Sequence, residues 1–171
     1  PKSIYTPFST IFVPCRGIDD DLRVNLEAIF LQDYPNFEVV FVVDDERDLA
    51  VSVINELIQQ RERNTEQNGL SQRLVTSKLV VAGRATESGQ KVHNLRKAVI
   101  EASEEGEVFV FVDSDARPNK DWLRNLIAPL ENQNAGCGTG YRWFIQKSGG
   151  FATHLRSVWN ASIASALGNK T

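Results

Sequence analysis

Four short apolar runs, Thr10 to Pro14, Glu38 to Val43, Lys78 to Ala82 and Glu107 to Val112, alternate with stretches whose apolar residues recur at helical spacing. Continuous apolar runs of this length, bounded by turn residues, read as strands covered on both faces. The helical stretches are 20–33, 48–63, 90–102 and 121–130. Leu22, Leu26, Ile29 and Phe30 share one face of the first; Val51, Ile54, Leu57 and Ile58 line the second; Val92, Leu95, Val99 and Ala102 line the third. This β-α-β-α-β-α-β order predicts an α/β fold: a Rossmann-like, mostly parallel central sheet with helices on both faces. Asp19 to Asp21 supply cap and first-turn acids for the first helix. The polar stretch 61–73 reads as a connection, and a further strand is expected over 136–145. A closing helix over 150–167 carries an apolar stripe of Phe151, Leu155, Val158, Trp159, Ile163 and Leu167, expected to be buried on the domain.

The length of 171 residues suits one core and one domain, 1–171. Hydrophobic residues make up 42% and charged residues 24%, as in ordinary globular chains. With 19 Lys and Arg against 22 Asp and Glu the net charge is −3, so no basic field exists for a nucleic-acid backbone. Cys15 and Cys137 form neither a ligand spacing nor a disulfide framework, and read as small buried apolar residues in a reducing compartment. No apolar run is long enough to span a bilayer. His93 and His154 show no metal-ligand spacing and read as structural or surface residues.

The chemistry concentrates where strands stop. The run Val108 to Val112 ends in Asp113-Ser114-Asp115. Side chains two apart on an extended backbone share a face, so both carboxylates can present oxygens just past the strand's C-terminal end. Ligands of open α/β sheets bind at that edge. Two converging carboxylates repel unless a hard divalent cation joins them, and Mg²⁺ and Mn²⁺ commonly bridge carboxylates to phosphates. Asp and Ser are equally common in a turn ahead of a Pro such as Pro118. Asp44 and Asp45 end the second strand and would project from the same edge; alone, they and Asp48 read as turn and capping residues. Pro14-Cys15-Arg16-Gly17 ends the first strand, and its Arg16 suits paired oxygens of a phosphate or a solvated loop. Ser88-Gly89-Gln90-Lys91 opens the third helix, where backbone N–H groups and the dipole attract anions and Lys91 adds a charge. Neither a Walker loop nor G-x-G-x-x-G is present.

Taken in order, Phe12-Val13-Pro14-Cys15-Arg16-Gly17, Asn25-Leu26-Glu27, Gln32-Asp33-Tyr34-Pro35, Val39 to Asp45, Lys91-Val92-His93-Asn94-Leu95, Phe111 to Asp115 with Pro118 and Trp122-Leu123, and Gly149-Gly150-Phe151-Ala152 resemble glycosyltransferase family 2, the inverting GT-A enzymes, and within it the ceramide glucosyltransferase-like branch. The resemblance runs from about residue 9 to residue 165. It implies a GT-A domain that binds a nucleotide-diphospho-sugar, UDP-glucose foremost, and uses Mn²⁺ or Mg²⁺. It places the nucleobase-binding aspartate at Asp45, the direct metal ligand at Asp115, and Asp113 at the ribose or the metal's water shell. Pro14, Arg16, Lys91, Asn94 and Ser114 fall in segments that border the donor. It also implies a lipid or glycolipid acceptor and a cytoplasm-facing catalytic domain in a membrane-anchored protein.

Two family motifs are missing. No acidic pair that would supply the catalytic base follows Asp115, and Arg142-Trp143 lacks the Gln of a Gln-x-x-Arg-Trp motif. The base is therefore expected beyond Thr171, in a domain truncated on its acceptor side, and the chain alone is expected to bind donor without turnover. Two alternatives are a sugar nucleotidyltransferase, which wants a glycine- and lysine-rich loop after the first strand, and a non-catalytic nucleotide-sugar-binding module.

Overall fold

A computed structural model describes residues 3–68, 74–140 and 150–166. The chain forms two compact units, Pro1–Gly136 and Cys137–Thr171. The first contains β1 (Ser9–Pro14), α1 (Leu22–Phe30), β2 (Asn36–Val43), α2 (Ala50–Asn68), β3 (Leu74–Val81), α3 (Gln90–Ile100), β4 (Val108–Phe111), α4 (Trp122–Ile127) and a 3-10 turn, Ala128–Glu131. The second contains α5 (Phe151–Ala166).

The four strands form one parallel sheet in the order β3-β2-β1-β4. Ile11 lies opposite Val39 on one side and Val110 on the other. The chain steps outward from β1 to β3, then returns to place β4 on the far side of β1. The order thus reverses at β1, the kind of switch point where α/β proteins open a ligand crevice.

Alternation along the strands sorts the side chains onto two faces. Ile11, Val13, Val39, Phe41 and Val43 pack with Leu22, Leu26 and Ile29 of α1, Ile54 of α2, and Leu123 and Ile127 of α4. Phe12, Val40 and Val42 face the other way, against Ala98, Leu95 and Val99 of α3. Helices therefore cover both faces, as the alternation predicts. Burying a side chain such as Phe41 or Ile54, both fully buried, contributes about 1.5–3 kcal/mol. On the α3 side, Phe12 stacks on Phe111 with ring centroids 5.2 Å apart and meets the edge of Phe109 at 5.3 Å.

Several boundaries differ from the sequence expectation. Part of the stretch read as a connection is helix, since α2 continues to Asn68. Its polar residues still make specific contacts: the Arg61 guanidinium lies 5.1 Å from the Phe30 ring centroid, and Glu56 pairs with Arg23 of α1 at 2.9 Å. β3 starts at Leu74 instead of Lys78, because β2 offers a full-length ladder from Asn36 to Val43 that carries the polar Thr76 and Ser77 along. Asp21 occupies the cap position of α1 without a side-chain cap bond; its carboxylate pairs with Arg117 instead, at 3.1 Å. Of the strand expected over 136–145, residues 136–140 are irregular and 141–145 lie outside the described residues. The closing helix expected over 150–167 is present as α5, Phe151–Ala166. No described helix is long and apolar enough to cross a membrane.

Candidate functional site

Parallel pairing brings the C-terminal ends of all four strands to one edge of the sheet. That edge receives Pro14 to Gly17 after β1, Asp44 and Asp45 after β2, Gly83 and Arg84 after β3, and Asp113 to Asp115 after β4. Gly17 and Gly83 take left-handed backbone angles, φ +66° and +77°. Any other residue would strain these two turns, so both glycines help return the chain from the edge.

The loop after β4 leaves Asp113 and Asp115 exposed, and α1 holds it from below. Asn25, only 5% exposed, donates from Nδ2 to the Ser114 carbonyl at 3.3 Å and accepts from Arg117 Nε at 3.0 Å. Arg117 also forms the Asp21 ion pair. Farther along, Gln32 is fully buried and its Oε1 accepts the Leu123 N–H at 3.0 Å, satisfying one of the donors left open at the start of α4. The Asp33 N–H donates to the Lys120 carbonyl at 2.6 Å, and Arg124 Nε donates to the Asp33 carbonyl at 3.2 Å. The Tyr34 hydroxyl donates to the Pro7 carbonyl at 2.7 Å, fixing the chain's entry into β1. Gln32-Asp33-Tyr34 therefore braces the start of α4, which follows the loop carrying Asp113 and Asp115. The sequence singles out this segment by resemblance alone; the amide of Asn25 among Leu22, Leu26 and Ile29 on the buried face of α1 was the available signal.

The loop after β2 is built from its own residues. Asp45 accepts from the Arg47 N–H at 2.9 Å and from the guanidinium at 3.0 and 2.9 Å. The Arg47 guanidinium and N–H, with Arg84 nearby, hold the Asp45 carboxyl well below the usual carboxylate range. Arg47 is 83% exposed, so water and salt screen the pair. Asp48 accepts the Ala50 N–H at 2.8 Å, capping α2, and the Gly17 N–H at 2.9 and 3.1 Å, tying the loop after β1 to this one. Cys15, 2% exposed, has its thiol pushed up to about 12 by burial and by the Asp48 charge; it is an inert core residue, as expected, whereas Cys137, expected to be buried as well, is exposed. Arg47 and Arg84 are cations of this edge that the sequence reading did not select, although each follows a strand end closely.

From α3, Lys91 reaches across to Asp113, with Nζ 2.5 Å from Oδ1. Asn94 is 5% exposed and accepts from Gln90 Nε2 at 2.7 Å. Gln90 also donates to the Gly83 carbonyl and accepts the Ala85 N–H. Asn94 thus sits beneath the edge and steadies the loop after β3, while Lys91 stands on it. His93 Nε2 lies 3.0 Å from the Ala82 carbonyl, a structural contact. Arg16 is exposed, and Pro14 is the half-buried last residue of β1.

Among the described residues no three His, Cys, Asp or Glu side chains cluster closely enough to hold a metal by themselves. Among the described residues, Asp113 and Asp115 place two hard oxygen donors at one exposed turn. That suits Mg²⁺ or Mn²⁺, which take one or two carboxylates and complete their shell with water and substrate phosphates.

The family model described as Glycosyl transferase family 21 matches residues 1–159. Over 123 residues the chain is 28% identical to a ceramide glucosyltransferase of Candida albicans, covering 71% of this chain and 22% of that protein. Over 51 residues it is 39% identical to a ceramide glucosyltransferase of Komagataella phaffii, covering 30% of this chain and 10% of that one. The chain thus spans less than a quarter of the length of either relative. Among solved structures it resembles the mannosyltransferase PcManGT from Pyrobaculum calidifontis, in complex with GDP-Man and Mn²⁺, at TM-score 0.58 and 26% identity over 75% of this chain and 34% of that one. The GT-A fold expected from the motifs is present, and the chain belongs to glycosyl transferase family 21, the ceramide glucosyltransferase family.

Proposed function

We propose that this chain carries the donor-binding part of a hexosyltransferase that takes glucose from UDP-glucose and passes it, with inversion, to a lipid acceptor. The observation that carries the reading is the placement of Asp45, Asp113 and Asp115, distant in sequence, on one edge of a parallel sheet beside its switch point. The ceramide glucosyltransferases among its relatives support the glucose donor and the lipid acceptor. The Mn²⁺ and GDP-Man of the mannosyltransferase support a cation at the diphosphate.

In this reading Asp45 accepts hydrogens from the nucleobase, and the Pro14–Gly17 loop borders it, with Arg16 available to the phosphates. Asp115 holds the cation, with Asp113 at its water shell or the ribose, and Ser114 fixes the spacing between them. Asn94, through Gln90, steadies the loop beside the donor. A bound Mg²⁺ or Mn²⁺ supplies Lewis-acid stabilisation of the departing diphosphate. The full-length protein would be membrane-anchored with this domain facing the cytoplasm, where a nucleotide sugar and a lipid hydroxyl can meet.

Calorimetric titration with UDP and UDP-glucose, with and without Mn²⁺, tests this on the chain and on Asp115→Ala. We expect Mn²⁺-dependent binding that weakens on the order of a hundredfold in the variant, at least the loss seen when a metal ligand's support is removed. Absence of binding, or binding indifferent to both Mn²⁺ and Asp115, overturns the reading.

A further inference from the structure

Lys91 is in an unusual place for a lysine. It is the second residue of α3, at the helix end where the macrodipole disfavours a cation. Gly89 at the cap position provides no side-chain cap, and the first turn has no acidic residue. The helix therefore presents uncapped N–H groups together with a positive charge, and both call for an anion. In the structure Lys91 has one, the Asp113 carboxylate. The side chains are 60% and 53% exposed, so the pair is worth little to stability. Its position, joining the start of α3 to the turn after β4, is what gives it meaning.

Asp113 is also one of two carboxylates placed to receive a divalent cation. A lysine ammonium and a divalent cation at the same carboxylate repel each other. Building on the donor-site reading above, we propose that Lys91 is an exchangeable counter-ion that couples cation binding to nucleotide binding. It neutralises Asp113 in the chain without nucleotide. When a cation takes the carboxylates, Lys91 is released and finds its new anion in the diphosphate arriving at the α3 N-terminus. Cation alone must compete with Lys91; cation and diphosphate together give every charge a partner. Each ligand thereby raises the affinity for the other, and by linkage the factor is the same in both directions. No bond is made or broken in the exchange, and Lys91 is a positioning and binding residue, not a catalytic one.

The test is a pair of titrations on the chain and on Lys91→Met, with Lys91→Gln as a second variant of this exposed position. Mn²⁺ binding is followed by the loss of free-ion electron paramagnetic resonance signal, and UDP binding by calorimetry at saturating Mn²⁺. The two affinities should move in opposite directions. Mn²⁺ alone should bind about two- to fivefold tighter in the variants, the scale of an exposed ion pair removed. UDP with Mn²⁺ should bind about tenfold or more weakly, the scale of a charged hydrogen bond lost. Lys91→Arg should keep the original order of both. Unchanged or weaker Mn²⁺ binding in Lys91→Met and Lys91→Gln overturns the exchange even if UDP still binds with Mn²⁺. Failure of the unmodified chain to bind UDP with Mn²⁺ overturns the donor-site reading, and the exchange with it.

Discussion

After β2, Asp45 is held by Arg47 two residues later, and Asp48 caps the helix that begins at Ala50. After β4, Ser114 and Arg117 are held by Asn25, Arg117 by Asp21, and Leu123 by Gln32. The first loop is built from its own neighbours and the second from α1, about ninety residues earlier in the chain. In the proposed donor site, a loop that reads a flat base can rely on local turns. A loop that must hold two carboxylates at a fixed separation, against their repulsion, gains from being pinned to a buried helix. The difference separates affinity from geometry, and three substitutions press on it.

The largest effect is expected at Asn25. Asn25→Leu keeps a buried side chain of similar size but removes the donor to Ser114 and the acceptor for Arg117. The unsatisfied groups should cost about 1–3 kcal/mol of stability, read from chemical denaturation. Mn²⁺-dependent UDP binding should fall about tenfold beyond any fraction unfolded, while the Asp45 carboxyl resonance stays where it was. An equal disturbance at Asp45 would show that the two loops are not independently built.

These contacts also mark how far the sequence could be read. The sheet was legible because the strands carry apolar runs such as Val39 to Val43, and because Asp44 and Asp113 follow such runs directly, with Asp45 and Asp115 close behind. Asp48 as a cap was legible for the same reason: its partners are its neighbours. Asn25 was not legible as a brace, since nothing near it in sequence says that its amide meets Ser114. The end of α2 and the start of β3 were missed because solvent-facing polar residues carry little periodic signal, and the ladder with β2 decides where β3 begins. Asp21 was assigned to the nearest task, capping, while Arg117 claimed its carboxylate from a distance.

A smaller effect is expected at Asp48, whose carboxylate joins the loops after β1 and β2. Asp48→Ala removes the cap of α2 and both bonds to the Gly17 N–H. Loss of a cap costs about 0.5–2 kcal/mol. UDP should also bind a few-fold more weakly, because the Pro14–Gly17 loop loses its tether, with no change in the Mn²⁺ requirement. Asp48→Asn should restore most of the stability, since an amide oxygen can still accept from Ala50. If the Mn²⁺ dependence shifts together with UDP affinity, the two loops share more than the comparison allows.

The smallest effect belongs to Arg47, and its signature is pH instead of stability at neutrality. Arg47 lowers the Asp45 carboxyl in the folded chain. A group whose folded pKa is depressed adds stability above its unfolded value, roughly 3.9 for Asp, and that contribution disappears as pH falls below it. Arg47→Ala should therefore leave the fold intact, move the Asp45 titration up toward the ordinary carboxylate range in carbon-detected NMR, and make the chain's stability less sensitive to acid below about pH 4. The same substitution frees Asp45 from the guanidinium that occupies both of its oxygens. If Asp45 reads the nucleobase, Arg47 must turn aside for the nucleotide to enter, and Arg47→Ala should bind UDP as well as or slightly better than the parent. Weaker UDP binding would mean instead that Arg47 itself touches the nucleotide, and the loop after β2 would then depend, like the one after β4, on a cation that changes partners.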